Sequence, residues 1–183
     1  MMDAKEGADQ NGLFAVMAVI HRVIVRILSA LVVVAVGGLV FSVLWGVVTR
    51  FVFDNQASWT EELARMLLIW VTLIGSSLAF AGHSHLGVDI LARSLDPAAR
   101  RLLAVLSQLM VLFFAVVILG QGGWAIVKDT YASGQVLAAM GISRAWVYVV
   151  VPISGVTTAY FTLETLLKLV CGHAENELEE EEV

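Results

Sequence analysis

The histidines are the first residues that could do chemistry, because an imidazole can bind haem, a metal ion or a proton. All four, His21, His83, His85 and His173, lie at the ends of hydrophobic runs. A haem-binding membrane anchor needs histidines that face each other inside the hydrocarbon, so these positions disfavour one. His83 and His85 could form a metal site with Asp89, but further ligands are lacking. Polar contacts at the membrane interface are the better interpretation, and we expect no metal ion.

A second group of chemically capable residues opens a hydrophobic run, and it consists of Trp59, Glu61, Glu62 and Arg65. Ser58 is predicted to be the N-cap of a helix, and Glu61 three residues later completes a capping box. Glu61 and Arg65 stand four residues apart with the acid first, which is the favourable order for a helical ion pair. We expect this cluster to anchor the start of a membrane helix near the water.

Two more reactive side chains lie towards the C-terminus. Glu164 falls inside a hydrophobic run, but Lys168 follows one helical turn later. A paired charge at the interface is therefore a better interpretation than an intramembrane proton carrier. Cys171 is the single cysteine, which excludes an intramolecular disulfide and a thiolate metal cluster.

Motifs for catalysis are lacking in the sequence. It has no serine elbow, phosphate-binding loop, zinc signature or paired-carboxylate constellation. The net charge of −5 comes largely from the acidic tail AENELEEEEV. We therefore expect neither an enzyme nor a cofactor, and no nucleic-acid partner.

The composition indicates which class of fold positions these residues. Of 183 residues, 59% are hydrophobic and 15% are charged, and the mean hydropathy is +0.86, whereas soluble domains carry about 45–50% apolar and roughly 25% charged residues. The sequence predicts an all-α integral membrane protein with four transmembrane helices and short interfacial helices. The expected spans are 27–48, 59–82, 102–127 and 145–170, between an N-terminal segment 1–26 and a tail 171–183.

Basic residues near the ends of the spans predict the orientation. Arg22 and Arg26 precede the first span, and three arginines lie in the segment 83–101, which is also expected to contain an interfacial helix. This bias favours both termini in the cytoplasm, with 49–58 and 128–144 on the other side.

Small residues predict where the helices pack. Gly38, Ser42 and Gly46 recur every fourth residue and form a stripe that lets another helix approach closely. Pro152 is expected to kink the fourth span.

In the second span, one sector carries charged, hydroxylic and small residues and is predicted to meet other helices, while the opposite sector holds Trp59, Leu63, Met66 and Trp70. The first sector contains Glu61, Arg65, Leu68, Thr72, Gly75, Ser76 and Ala79.

By themselves, these sequence features favour a helical accessory subunit of a membrane complex. A self-sufficient carrier would be expected to hold charged or unwound elements at mid-membrane. Two alternatives remain, the membrane anchor subunit of a respiratory enzyme and a small stand-alone exporter.

The sequence also resembles the small permease subunits of tripartite ATP-independent periplasmic (TRAP) transporters, over about residues 27–170. The matching positions are Arg50-Phe51-Val52-Phe53, then Trp59-Thr60-Glu61-Glu62-Leu63-Ala64-Arg65, then Trp70, Gly75, His85 and Asp89, and finally Gly141-Ile142, Trp146, Tyr148 and Pro152. The family often has basic residues just before the position of His85, where this chain has Ala81, Gly82 and His83. That departure affects only the charge at one membrane edge.

The resemblance implies a four-helix subunit in the bacterial inner membrane, surrounded by lipid and bound to a large permease subunit. The large subunit of such a transporter carries the substrate and sodium sites. A periplasmic binding protein delivers an organic acid, such as a dicarboxylate or sugar acid, through transient contact. The small subunit would then be a scaffold for an elevator-type carrier driven by the sodium gradient, with one face of its first two helices against the large subunit.

Overall fold

The protein is helical throughout most of the described chain. The computed structural model describes residues 3–55, 57–82 and 97–170. Its helices are α1 (Asp3–Val52), α2 (Ser58–Ala81), α3 (Pro97–Phe113), a π-helix (Phe114–Gly122), α4 (Gly123–Ala132), α5 (Ala145–Tyr148) and α6 (Val150–Val170). We call α3, the π-helix and α4 together the third span, and α5 with α6 the fourth span.

Within the described residues, four stretches are long and apolar enough to cross a membrane, which confirms the predicted fold class. They are Met17–Val52, Ser58–Ala81, Leu102–Ala132 and Ala145–Leu167. The first has 36 residues, or about 54 Å at 1.5 Å per residue, whereas the hydrocarbon core is about 30 Å thick. The first helix must therefore tilt strongly or project beyond the hydrocarbon.

The four spans pack as an open row rather than a closed bundle. α1 lies along α2, α2 along the fourth span, and the fourth span along the third. Among the described residues, the Cα atoms of α2 and of the third span almost nowhere approach within 8 Å of each other. A crevice therefore separates these two helices, and the fourth span forms its floor.

The predicted small-residue stripe packs α1 against α2. A Cβ atom added at Gly46 would lie 2.9 Å from Oγ1 of Thr60, and one at Gly38 would lie 3.2 Å from Cδ1 of Leu67. Ser42 is fully buried between the two helices. The stripe thus serves a contact within the chain.

The third and fourth spans meet backbone to backbone at Gly155. A Cβ atom there would lie 2.8 Å from the nitrogen of Gly120 and 2.9 Å from the carbonyl oxygen of Ala115. Both partners belong to the π-helix, whose wider turns replace the ordinary i→i−4 ladder. Only a residue without a side chain fits this contact.

The fourth span is interrupted where Pro152 was expected to disturb it. α5 ends at Tyr148 and α6 begins at Val150. Pro152 has no N–H for the carbonyl of Tyr148 four residues earlier, so the ladder loses one bond there. The interruption between α5 and α6 therefore coincides with the missing backbone hydrogen bond of Pro152.

The start of α2 and the end of the third span differ from the sequence prediction. The prediction of Ser58 as a side-chain N-cap is wrong, because the N-cap position is Ala57 and makes no side-chain cap hydrogen bond. Thr60 Oγ1 instead donates to the carbonyl of Ala57 at 2.7 Å. The third span continues to Ala132, beyond the expected limit at 127. Most of the interfacial helix expected in 83–101 lies outside the described residues.

Candidate functional site

The junction between α1 and α2 is held by hydroxyl groups. Ser42 Oγ donates to the carbonyl of Thr60 at 2.7 Å, and Thr49 Oγ1 donates to the carbonyl of Gly46 at 3.0 Å. Thr49 Oγ1 also accepts the amide of Ala57 at 3.3 Å. Buried polar groups cost free energy unless they are hydrogen-bonded. These bonds therefore fix the short connection from which the charged cluster projects.

Glu62 ties α2 to the loop between the third and fourth spans. Its Oε2 accepts the amides of Ala139 and Met140 at 3.0 and 3.3 Å, across 77 and 78 residues of sequence. The loop is a tight hairpin with a bridge between Val136 and Ser143. A charged acceptor strengthens such bonds. Glu62 thus positions this loop over the start of α2.

Glu61 and Arg65 form the predicted ion pair. Arg65 Nη2 lies 3.2 Å from Glu61 Oε1, which confirms the i,i+4 contact. Their side chains are 65% and 70% exposed, and exposed pairs contribute little to stability. The pair therefore leaves two charged groups accessible near the N-terminus of α2. Arg50 is also exposed, with its guanidinium 6.0 Å from the ring centre of Phe51.

The packing faces of α2 differ from the prediction. Within this chain the sector expected at helix contacts is mostly exposed, and only Gly75 in it is partly buried. The residues of α2 that are buried are Thr60, Ile74, Ser77 and Ala81. The other contacts of this helix come from residues of intermediate exposure, among them Trp59 and Trp70. The exposed members of the predicted sector are Glu61, Arg65, Leu68, Thr72, Ser76 and Ala79.

The contact between α2 and the fourth span is polar and buried. Ser77 Oγ lies 3.0 Å from Thr158 Oγ1 and donates to the carbonyl of Ser154 at 3.3 Å. Sequence reasoning missed these residues, because a single serine or threonine in a span has no distinctive spacing. Satisfied hydroxyls between helices stabilise membrane proteins modestly.

His21 and Glu164 meet at the opposite end of the protein. Nδ1 of His21 lies 2.7 Å from Oε2 of Glu164, whose side chain is 6% exposed. The imidazole also packs edge-on to Phe161, with ring centres 5.2 Å apart. Glu164 therefore has a partner on the first helix, His21, which the sequence did not suggest. The side chain of its expected partner Lys168 lies outside the described part of the chain.

The remaining predicted site residues are dispersed. A Cβ atom at Gly75 would meet open space, and Trp146 is exposed. Pro152 contacts the third span at Gly123, where an added Cβ atom would lie 3.0 Å from the proline nitrogen. His85 and Asp89 lie outside the described residues. No group of three or more potential metal ligands occurs among the residues that the structure describes.

Comparisons with known proteins agree on one family. Residues 39–172 match the family model of the DctQ component of tripartite ATP-independent periplasmic transporters. The chain is 26% identical over 159 residues to the sialic acid TRAP transporter small permease protein SiaQ of Vibrio cholerae, covering 85% of this chain and 90% of that protein. It is 25% identical over 161 residues to the ectoine TRAP transporter small permease protein TeaB of Halomonas elongata, covering 86% and 81%.

A further relative is a longer protein. The chain is 29% identical over 122 residues to the sialic acid TRAP transporter permease protein SiaT of Haemophilus influenzae. The match covers 64% of this chain and 19% of that permease.

Proposed function

The chain belongs to the DctQ-component family of TRAP transporters, the small permease subunits, and we propose that it supports the uptake of an organic acid as the scaffold of a two-part membrane carrier. The family and the four apolar helices make it a multi-pass protein of the bacterial inner membrane. Small permease subunits of this family work with a large permease subunit. The single observation that carries the proposal is the family match over residues 39–172.

The large permease subunit is the proposed partner of the exposed faces of α1 and α2. Support comes from SiaT, in which a region similar to this chain forms about a fifth of one longer permease. Further support comes from the small and hydroxylic residues on the exposed side of α2, such as Thr72, Gly75 and Ser76. Small residues let the backbones of two membrane helices approach closely. We therefore propose that this side of α2 meets a helix of the large subunit.

A scaffold role is consistent with where this chain holds its charges. Glu62 binds a loop, Glu61 binds Arg65, and Glu164 binds His21. The contacts of Glu62 and Glu164 each fix one helix to another part of the chain, whereas the pair of Glu61 and Arg65 lies within α2. We propose that the large subunit carries the substrate and sodium sites and moves as an elevator against this fixed unit.

The substrate class and the energy source are further parts of the proposal. A periplasmic binding protein would deliver an organic acid, such as a dicarboxylate or sugar acid, and the sodium gradient would drive its entry. Relatives named for sialic acid and for ectoine match this chain over similar lengths. That similarity supports a small subunit whose sequence does not specify the solute. Both termini are proposed to face the cytoplasm, with the loop that Glu62 binds on the periplasmic side.

Co-purification with the cognate large permease subunit tests the proposal. The tagged chain, extracted in mild detergent from cells that express both subunits, is expected to retain the large subunit in equal amount. Proteoliposomes with both subunits and the binding protein should take up the solute only under an inward sodium gradient. Recovery of the chain alone, with full uptake by the large subunit without it, would refute the scaffold role.

The two alternative functions make opposite predictions in the same preparation. A respiratory anchor subunit would show a haem Soret band, and a stand-alone exporter would transport solute without the large subunit. We expect neither, since the family match assigns the chain to a transporter with more than one component.

A further inference from the structure

Two arginines of α1, Arg22 and Arg26, have no partner within the described part of the chain. Both are exposed, and neither makes a hydrogen bond or an ion pair with a described residue. They are four residues apart on one continuous helix, so their Cβ atoms are about 5–6 Å apart on the same side of it. α1 therefore presents two neighbouring positive charges that the described residues do not neutralise.

The acidic residues of the described chain are in the wrong places to neutralise this pair. Between Met17 and Val52, α1 contains no aspartate or glutamate. Of the acidic side chains that the structure describes, Glu164 alone lies at this end of the protein, and it is buried against His21. A counter-charge for the two arginines must therefore come from outside the described residues. The other described acidic residues, all at the opposite end, are Asp54, Glu61, Glu62 and Asp129.

The uncharged stretch that follows the pair indicates its depth in the membrane. Residues 27–49 contain no charged residue, and Arg50 ends the stretch. At 1.5 Å per residue, Arg26 and Arg22 are about 36 and 42 Å from Arg50 along the helix. The hydrocarbon core is about 30 Å thick, and the bilayer with its headgroups about 40–45 Å. With Arg50 at one membrane surface, both arginines lie in the headgroup layer of the other, and an average tilt of about 20° leaves them there.

The two arginines lie on the side of α1 that faces away from the rest of the protein. Ser42 is fully buried and donates to the carbonyl of Thr60, so it marks the inner side of α1. It follows Arg26 by 16 residues and Arg22 by 20, which at about 100° per residue places both within about 20° of the opposite side. Because α1 is the last helix of the row, this side faces outwards. A large subunit seated on the small residues of α2 would contact a flank of α1 rather than this side.

We propose that Arg22 and Arg26 bind the phosphate of an anionic phospholipid such as phosphatidylglycerol. A guanidinium group can donate two parallel hydrogen bonds to phosphate oxygens, and two such groups this close together can hold one phosphate between them. A zwitterionic headgroup would bring an ammonium group next to the pair, so a lipid with a net negative charge binds better. The proposal does not depend on which end of the protein faces the cytoplasm.

The surface next to the pair suits the acyl chains of the same molecule. Val33 follows Arg26 by seven residues and Leu44 follows it by 18, which places both on the same side of α1 as the arginine. Their side chains are 70% and 60% exposed, and they lie towards the middle of the membrane. A lipid can therefore contact the arginines with its phosphate and this side of the helix with its chains. A free phosphate ion would make only the first contact.

Chemical modification of arginine tests the proposal on the unaltered chain. The full chain is reconstituted in nanodiscs of phosphatidylcholine, with or without phosphatidylglycerol, and treated with phenylglyoxal, and the rate at each arginine is measured by mass spectrometry after digestion. Phosphatidylglycerol should slow the modification of Arg22 and Arg26 several-fold more than that of Arg50. Arg50 is the matched control, because it is a single exposed arginine at the other membrane surface of the same helix. Equal slowing at all three would reflect only the general surface potential and would overturn the proposal.

A pair of double variants tests the selectivity for lipid. The chain is mixed in detergent with equal amounts of phosphatidylglycerol and phosphatidylethanolamine, and the lipids that it retains are counted by native mass spectrometry. The original chain should retain several times more phosphatidylglycerol, and Arg22→Gln with Arg26→Gln should bring the ratio close to one. Arg50→Gln with Lys128→Gln makes the same change of charge at exposed sites of the opposite end and should keep the preference. An unchanged ratio in the first variant would contradict the proposed site.

Two additions to the modification experiment distinguish the sources of the negative charge. An excess of inorganic phosphate should leave Arg22 and Arg26 protected by the lipid, whereas protection by inorganic phosphate in phosphatidylcholine alone would show a site for the free ion. With the large subunit co-purified, protection should still require phosphatidylglycerol. Protection in phosphatidylcholine that appears only with the large subunit would assign the arginines to an acidic group of that protein and would overturn the lipid site.

Discussion

Nδ1 of His21 lies 2.7 Å from Oε2 of Glu164, across 143 residues of sequence, and joins the first helix to the last. The carboxylate is 6% exposed on its side chain, and the ring of His21 packs against Phe161. A buried polar group that loses a hydrogen-bond partner costs free energy. The contact therefore stabilises the packing of α1 against α6.

We expect His21→Ala to destabilise the protein by about 1.5–3 kcal/mol, the range for a hydrogen bond to a charged group, because it removes the 2.7 Å contact with the carboxyl group of Glu164. Glu164→Gln removes the charge but keeps a hydrogen-bonding side chain, so its effect should be smaller. Denaturant unfolding of both variants and of the double variant in detergent gives the coupling energy. A coupling near zero would show that the imidazole and the carboxylate act independently.

Glu62→Ala is expected to release the loop 133–144. Hydrogen bonds to a charged group contribute about 1.5–3 kcal/mol each, and Glu62 accepts two. Amide hydrogen exchange at Ala139 and Met140 should increase by at least tenfold. Glu61→Ala is the matched control, because its pair with Arg65 is exposed and exposed pairs contribute about 0–1 kcal/mol. Unchanged exchange in Glu62→Ala would contradict the anchoring role.

The loss of stability caused by each glycine-to-alanine substitution should depend on the space around that glycine. Gly155→Ala forces a carbon within 2.9 Å of the π-helix backbone and should cost about 1–3 kcal/mol or more. Gly46→Ala meets Thr60 Oγ1 at 2.9 Å and should also destabilise. Gly37→Ala meets nothing within 4 Å and should be neutral or stabilising, since alanine favours helices by about 1 kcal/mol. The order of melting temperatures checks this ranking, and equal values would contradict it.

Arg65→Glu separates a structural role from a partner-binding role. The exposed pair with Glu61 contributes little, so the variant should fold normally, yet we expect it to recover less of the large subunit on co-purification. The swap Glu61→Arg with Arg65→Glu rebuilds the pair on the helix. If the swap restores full recovery, the pair only fixes α2, and if recovery stays low, the charges contact the partner.

The sequence was sufficient to predict the helices and one of their contacts. Hydrophobic runs predicted four spans, and the four-residue spacing of Gly38, Ser42 and Gly46 predicted a close helix contact, which α1 makes with α2. The ion pair between Arg65 and Glu61 was predicted from local spacing alone. Such features depend on residues within one or two turns, which the sequence specifies directly.

Contacts between distant segments could not be predicted. The partners of Glu62 and Glu164 lie 77 and 143 residues away, and no periodicity relates them. The exposed face of α2 was assigned to packing because small residues suit helix contacts. Whether such a face meets this chain or another depends on the order of the spans in the row. The N-cap at Ala57 was missed because alanine makes no side-chain cap hydrogen bond, so its residue type does not mark the position.

The contact at Gly155 has a consequence for how the protein is made. α1 and α2 close on each other at Gly46, and the third and fourth spans close at Gly155, so each half of the chain contains its own tight crossing. Helices that insert independently and then associate can complete such crossings hairpin by hairpin during synthesis. The α1–α2 crossing involves only residues that precede the third span in the chain, so it does not require the second hairpin. The buried hydroxyls of Ser77 and Thr158 connect the two hairpins.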